Sequence, residues 1–171
     1  MRYHHLYPDP ASIASPIEPD FEFRQAVVDG RFPIRLESPQ YRLLGGDGDA
    51  AFPFSAGAGI MSPALRAILD DHIGPSDRLE WIECSVLSQN GGTSYFVPFD
   101  LGPTPEYDPS VTEFGPSGVP LRWSLKAESL VGRHVFKVPM LHMGLVVADL
   151  VRSAVERHRL HGLMWLDAPV R

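Results

Sequence analysis

Apolar and polar positions change period several times along this chain of 171 residues, and the changes divide it into elements. Leu65, Ile68, Leu69 and either His72 or Ile73 fall on one helical face behind Ser62-Pro63. A serine there caps an orphan amide, and proline suits the first helical position. Gly74-Pro75 is expected to end that helix. From Leu79 to Leu87 apolar and polar residues alternate roughly as in a strand, Asn90-Gly91-Gly92 is a hairpin signal, and Thr93–Phe99 reads as a second strand. The two strands should therefore pair antiparallel. Leu121, Trp123 and Leu125 alternate again, and Val135, Phe136 and Val138 predict one more strand before Pro139. Helical spacing returns at Val147, Leu150, Val151, Ala154 and Val155. Gly162 should close that helix, whose basic last turn complements its macrodipole.

Two segments read alike: Gly59–Ile82 and Gly144–Leu166 each run from a glycine through a helix to a Leu-x-Trp-aliphatic return, at Leu79-x-Trp81-Ile82 and Leu163-x-Trp165-Leu166. The leading glycines and the tryptophans are nearly equally spaced. This predicts two equivalent pieces of local structure that bury Trp81 and Trp165 as core.

Breakers define the rest. Pro8, Pro10, Pro16 and Pro19 deny backbone donors in residues 1–20, which are expected to form an extended arm lying on the domain. Phe21 to Leu44 is mixed, with Phe23–Val28 a short helix or strand and Pro33 and Pro39 stopping anything longer. Gly45-Gly46-Asp47-Gly48-Asp49 is a turn or mobile loop. Residues 100–120 hold five prolines and three glycines and read as a long surface loop. The expected architecture is a single α+β domain. It has a mostly antiparallel sheet, two main amphipathic helices packed on it and long Pro/Gly-rich loops, with residues 1–45 an arm and irregular segment packed on residues 46–171.

Composition narrows the function classes only modestly. The formal charge of −6 argues against nucleic acid or an anionic membrane as partner and suits a basic protein. A single cysteine, Cys84, forbids an intramolecular disulfide and favours a reducing compartment, so the cytoplasm is expected. The first residues lack the apolar core of a signal peptide, and no apolar run of about 18 residues is present to span a bilayer.

No motif of reaction chemistry stands out. His158 and His161 are three apart without a HExxH or Glu-x-x-His arrangement, so a solvated helix end is expected rather than a metal site. His4-His5 reads as a surface pair, and His142 as a core or edge residue. Asp47-x-Asp49 lacks the closing glutamate of a calcium loop. Gly115-Pro116-Ser117-Gly118 has Val119 where a serine elbow requires glycine. The glycines at 45, 46, 48, 57 and 59 match neither G-x-G-x-x-G nor a phosphate-binding loop. Cys84, in a strand-like context, reads as an inert buried thiol. No cofactor, metal or catalytic residue is expected.

From about Ile60 to Ala168 the order of features resembles the Imm11-type immunity proteins, also described as the DUF1629 family, of bacterial polymorphic-toxin systems. SPALRAILDDH followed by LEWIECSVLSQNGGTSYFVPF, then GRHVFKVP, then GLVVADLVRSAVERHRLHGLMWL carry the resemblance. Where that family often opens its last helix with serine or threonine, this chain has Val147-Ala148-Asp149, with Asp149 the nearby capping residue. The resemblance implies a cytoplasmic protein that binds a cognate toxin and blocks it without turnover of its own. Within it, the 100–118 loop is the expected recognition element, with Tyr107 and Phe114 as anchors and Glu106, Asp108 and Glu113 steering a basic toxin. The alternatives are a loop that covers a sheet edge, and a small enzyme or ligand-binding scaffold whose site has no recognisable spacing. Oligomeric state is left open.

Overall fold

In the computed structural model, residues 1–17, 38–46, 48–55, 59–139 and 144–171 are described. Phe23–Val28, the Asp47 half of Asp47-x-Asp49, Gly57 and His142 lie outside them. The strands are β1 (Tyr3–Pro16), β2 (Gln40–Gly45), β3 (Pro53–Ser55), β4 (Leu79–Ser88), β5 (Gly91–Asp100), β6 (Glu113–Phe114), β7 (Pro120–Arg122), β8 (Val135–Phe136), β9 (Leu145–Ala148) and β10 (Leu163–Ala168). The helices are α1 (Pro63–Asp70) and α2 (Asp149–Arg157), with one 3-10 turn at Ala127–Leu130. Eight strands form a sheet ordered β5-β4-β2-β1-β9-β8, with β10 and β3 also paired to β1, while β6 and β7 make a separate hairpin. Antiparallel pairs dominate; β1 with β3 and β2 with β4 are parallel. The fold is α+β and weighted toward sheet.

The proline-bearing N-terminal residues are extended, as their composition dictates, yet they run through the sheet rather than over it. Tyr3–Leu6 lie between β9 and β10, with Leu6 opposite Leu145 on one side and Trp165 on the other. Ile13 and Ala14 lie between β2 and β3. Between these two paired ends the register on the β3 side shifts from Asp9 to Ile13, the stretch that holds Pro10. Proline is compatible with a strand where the ladder breaks. There Asp9 N–H donates to Phe52 O at 3.0 Å, and Ala11 N–H donates to the Asp9 carboxylate at 2.9 Å. Gly46, at φ +86°, permits the turn after β2 to press on this break: a Cβ would stand 2.4 Å from Ala11 O.

Helix α1 begins where its sequence says, with Leu65 N–H donating to Ser62 Oγ at 3.3 Å. It ends at Asp70, short of Gly74-Pro75. Helix α2 starts after Ala148, which offers no capping side chain, and Asp149 occupies the first turn instead. It ends at Arg157, and Gly162, at φ +77°, turns the chain into β10. Leu65, Ile68 and Leu69 of α1 and Val151, Ala154 and Val155 of α2 are buried in one cluster with Leu6, Leu145 and Val147. A second cluster gathers Ala14, Tyr41, Cys84, Val86, Tyr95, Val97 and Phe99 between β1, β2 and the β4–β5 hairpin. That hairpin closes at Ser88 and Gly91, as the Asn-Gly-Gly signal predicts.

The two similar segments are equivalent in a definable way. Met61 bridges antiparallel to Phe96, which faces Glu83 of β4 on its other side, and α1 links the two flanking positions. Correspondingly, β9 and β10 flank β1, both antiparallel to it, and α2 links them. Each unit is an extended-helix-extended piece straddling a third strand. Trp81 and Trp165, however, are half-buried at the rim of the core rather than inside it. Trp81 Nε1 donates to Asp70 at 2.7 Å, and the guanidiniums of Arg66 and Arg152 lie over the rings of Trp81 and Trp165. An indole N–H needs a partner, and the bond to Asp70 explains why the Trp81 ring stops at the boundary.

Candidate interaction hairpin and the His4 concavity

Residues 106–126 are a folded unit rather than an open loop. Glu106–Asp108 lies along Ser124–Lys126: Lys126 N–H donates to Glu106 O at 2.9 Å, Asp108 N–H donates to Ser124 O at 2.8 Å, and Tyr107 bridges Leu125. The Asp108 carboxylate accepts from Ser110 N–H at 2.9 Å and from Ser110 Oγ at 2.7 Å. This is the local turn chemistry aspartate favours. Gly115-Pro116-Ser117-Gly118 then closes β6 on β7, with Gly118 N–H donating to Gly115 O at 2.9 Å and Gly118 at φ +77°. Proline at the second position of a turn is the ordinary reason for such a sequence, and no serine elbow forms.

The five residues expected to recognise a partner divide by role. Tyr107 is half-buried, and its hydroxyl donates to Pro139 O. Its ring meets Phe114 and Trp123 edge to face, at centroid distances of 5.4 Å and 6.4 Å. Tyr107 therefore props the hairpin, and burial pushes its phenol up to about 12. Phe114, expected as the second anchor, is 52 % exposed. The carboxylates are largely answered within the chain: Glu106 pairs with Lys126 at 2.8 Å, Glu113 stands opposite Arg122, and Asp108 serves its own turn. Hydrogen bonds from Lys126 and from Ser110 hold the Glu106 and Asp108 carboxyls below their usual range.

What the sequence pattern concealed is the rest of the tip. Val119 and Leu121 are 39 % and 75 % exposed beside Phe114, and the strand-like alternation Leu121-Trp123-Leu125 does not reveal that exposure. An apolar residue exposed singly is unremarkable, but three on one hairpin form a patch.

A concavity of about 570 Å³ lies at the start of α2, lined by residues including His4, Asp149, Arg152, Ser153 and Asp167. His4 is no surface residue: its side chain is 6 % exposed, with Nε2 at 2.9 Å from Asp149 and Nδ1 at 3.2 Å from Asp167. Arg152 also approaches Nδ1, at 3.0 Å. Nδ1 carries either a proton for Asp167 or a lone pair for Arg152, not both. With Nε2 held by Asp149, neither ring nitrogen is free to activate Ser153 as a triad base would.

His5, expected on the surface with His4, is also buried. It lies against Tyr7 and Trp123, with ring centroids at 3.8 Å and 6.3 Å. Its Nδ1 has no hydrogen-bond partner, and burial lowers its pKa to about 4. Cys84 is buried and its thiol is pushed up to about 12 by burial, then by Glu83, as an inert thiol requires. His158 Nδ1 meets Ala154 O at 2.9 Å at the end of α2. Among the described residues no three metal-binding side chains converge, and no helix is long and apolar enough to cross a membrane. No family model and no curated protein matches the chain.

Proposed function

We propose that this chain is an immunity protein that acts in the cytoplasm, binding a cognate bacterial toxin domain and neutralising it by contact. The family is the one its sequence resembles. The observation that carries a binding role is the apolar tip of Phe114, Val119 and Leu121 on a hairpin propped by Tyr107. Pre-organised, exposed aromatic and aliphatic anchors are what a protein interface uses for affinity. The charge of −6 over the whole chain favours a basic toxin, although the local charges at the tip nearly balance.

The test is binding to the toxin domain encoded beside this gene. Leu121→Asp should weaken the complex at least about tenfold. Unchanged affinity removes the hairpin from the interface, and absence of any complex with the unaltered chain overturns the immunity role.

The His4 concavity supports a second reading, a small-ligand site. Titration calorimetry against polar metabolites would show Asp149-dependent binding; complete silence counts against it.

A further inference from the structure

We propose that β10 is a dimerisation edge at which a second copy of this chain adds its own β10, antiparallel, to make one continuous sheet. Strand β10 pairs with β1 on one side, and among the described residues Leu163–Asp167 have no strand partner on the other. An open edge of this kind offers a row of backbone donors and acceptors.

Other sheet margins are guarded. Strand β8 is two residues long, and β3 is three and begins with Pro53. The outer side of β5 is bridged by Met61 at Phe96, carries Pro98, and exposes Gly91, Gly92, Thr93 and Ser94. Strand β10 has none of these protections: it reads Leu-Met-Trp-Leu-Asp-Ala, without lysine or proline. Met164 and Leu166 are 43 % and 58 % exposed on the face they share with Tyr7 and His5.

The strand is complementary to itself. About a two-fold axis at Trp165, Met164 of each copy stands opposite Leu166 of the other, so four apolar side chains cover one another on one face. On the other face Asp167 stands opposite Leu163 rather than its own equivalent, which avoids a like-charge pair. Asp167 is the one carboxylate on the strand; it is largely exposed beside His4, at 3.2 Å, and in this register it meets an apolar residue of the second copy rather than another charge. The isologous arrangement closes at two copies, because pairing consumes both edges. Since each chain carries −6 overall, the dimer should tighten as salt rises. A complex with a basic toxin should do the opposite.

Sedimentation equilibrium on the full chain, at low and high salt, tests this independently of any toxin. The expected result is a monomer–dimer equilibrium that shifts toward dimer with salt, is lost in Leu166→Lys and in Met164→Lys, and persists in Leu121→Lys. A wild-type chain that stays monomeric at every concentration and salt overturns the proposal. So does a dimer that survives a lysine at position 166 or 164 in a variant with a native circular dichroism spectrum. Failure of toxin binding in Leu121→Asp leaves this result untouched, so the two readings fail separately.

Discussion

Arg133 donates through Nε to Asp77 Oδ1 at 2.8 Å, with the two side chains 1 % and 0 % exposed. The same guanidinium reaches Asp100 and Pro103 O, while the other Asp77 oxygen accepts from the backbone N–H groups of Gly74, His134 and Val135. One cation thus joins the loop after α1, the end of β5 and the start of β8. Gly102 stands where a Cβ would meet Arg133 Nη1 at 2.8 Å, so the chain closes tightly over it. Arg133→Leu leaves Asp77 and Asp100 buried without their cation, and stability should fall by about 3–5 kcal/mol in urea unfolding.

His5 makes stability depend on acid. Its folded pKa of about 4 lies below the unfolded value near 6.5, so the unfolded chain takes the proton first as pH falls. Its contribution is complete above about pH 6.5 and is lost progressively down to about pH 4, on the order of 2–3 kcal/mol in all. A His5→Leu variant should show a shallower decline of unfolding midpoint between those pH values than the wild type. Parallel declines in the two proteins would contradict the assignment.

Cys84 should ignore thiol reagents. With the thiol buried and pushed to about 12, native protein at mildly alkaline pH should react with a disulfide probe only as fast as it unfolds. Rapid labelling without denaturant would contradict that burial.

Tyr107 and Phe114 should separate stability from binding. Tyr107→Phe removes the hydrogen bond to Pro139 O and should cost about 1 kcal/mol. Phe114→Ala removes the edge-to-face contact with Tyr107 at a half-exposed site and should cost no more than about 1 kcal/mol of stability while weakening partner binding, which Tyr107→Phe should leave unchanged. Thermal unfolding and partner binding of both variants check the contrast.

Local chemistry was the legible part of this sequence. Ser62-Pro63 and Asn90-Gly91-Gly92 act within a few residues, and the helix start and hairpin they encode are found. The two Leu-x-Trp returns also marked equivalent units, since each strand must follow its helix directly. Residues whose role is set at a distance were not legible. His4 and His5 looked alike as neighbours in a proline-rich arm, yet alternate strand faces send one to Asp149 and the other to Trp123. Pro8 and Pro10 pointed to an extended arm lying on the domain, because the break at Asp9 that lets Pro10 sit within a sheet strand depends on a contact with Phe52. Leu121 alternates with Trp123 and Leu125 as in a strand, but it sits on a two-stranded hairpin where, among the described residues, it is left 75 % exposed.

The placement of β1 has a consequence for how the chain is made. Synthesis delivers Tyr3–Pro16 well before both neighbours of Tyr3–Leu6, which are β9 and β10. The β4–β5 hairpin can form while translation continues, being local in sequence. The first core cannot close until β9 and β10 have been made, so Leu6, wholly inaccessible in the folded protein, lacks its native cover until then. Protection from chaperones or proteases during that interval is a demand the native state does not reveal.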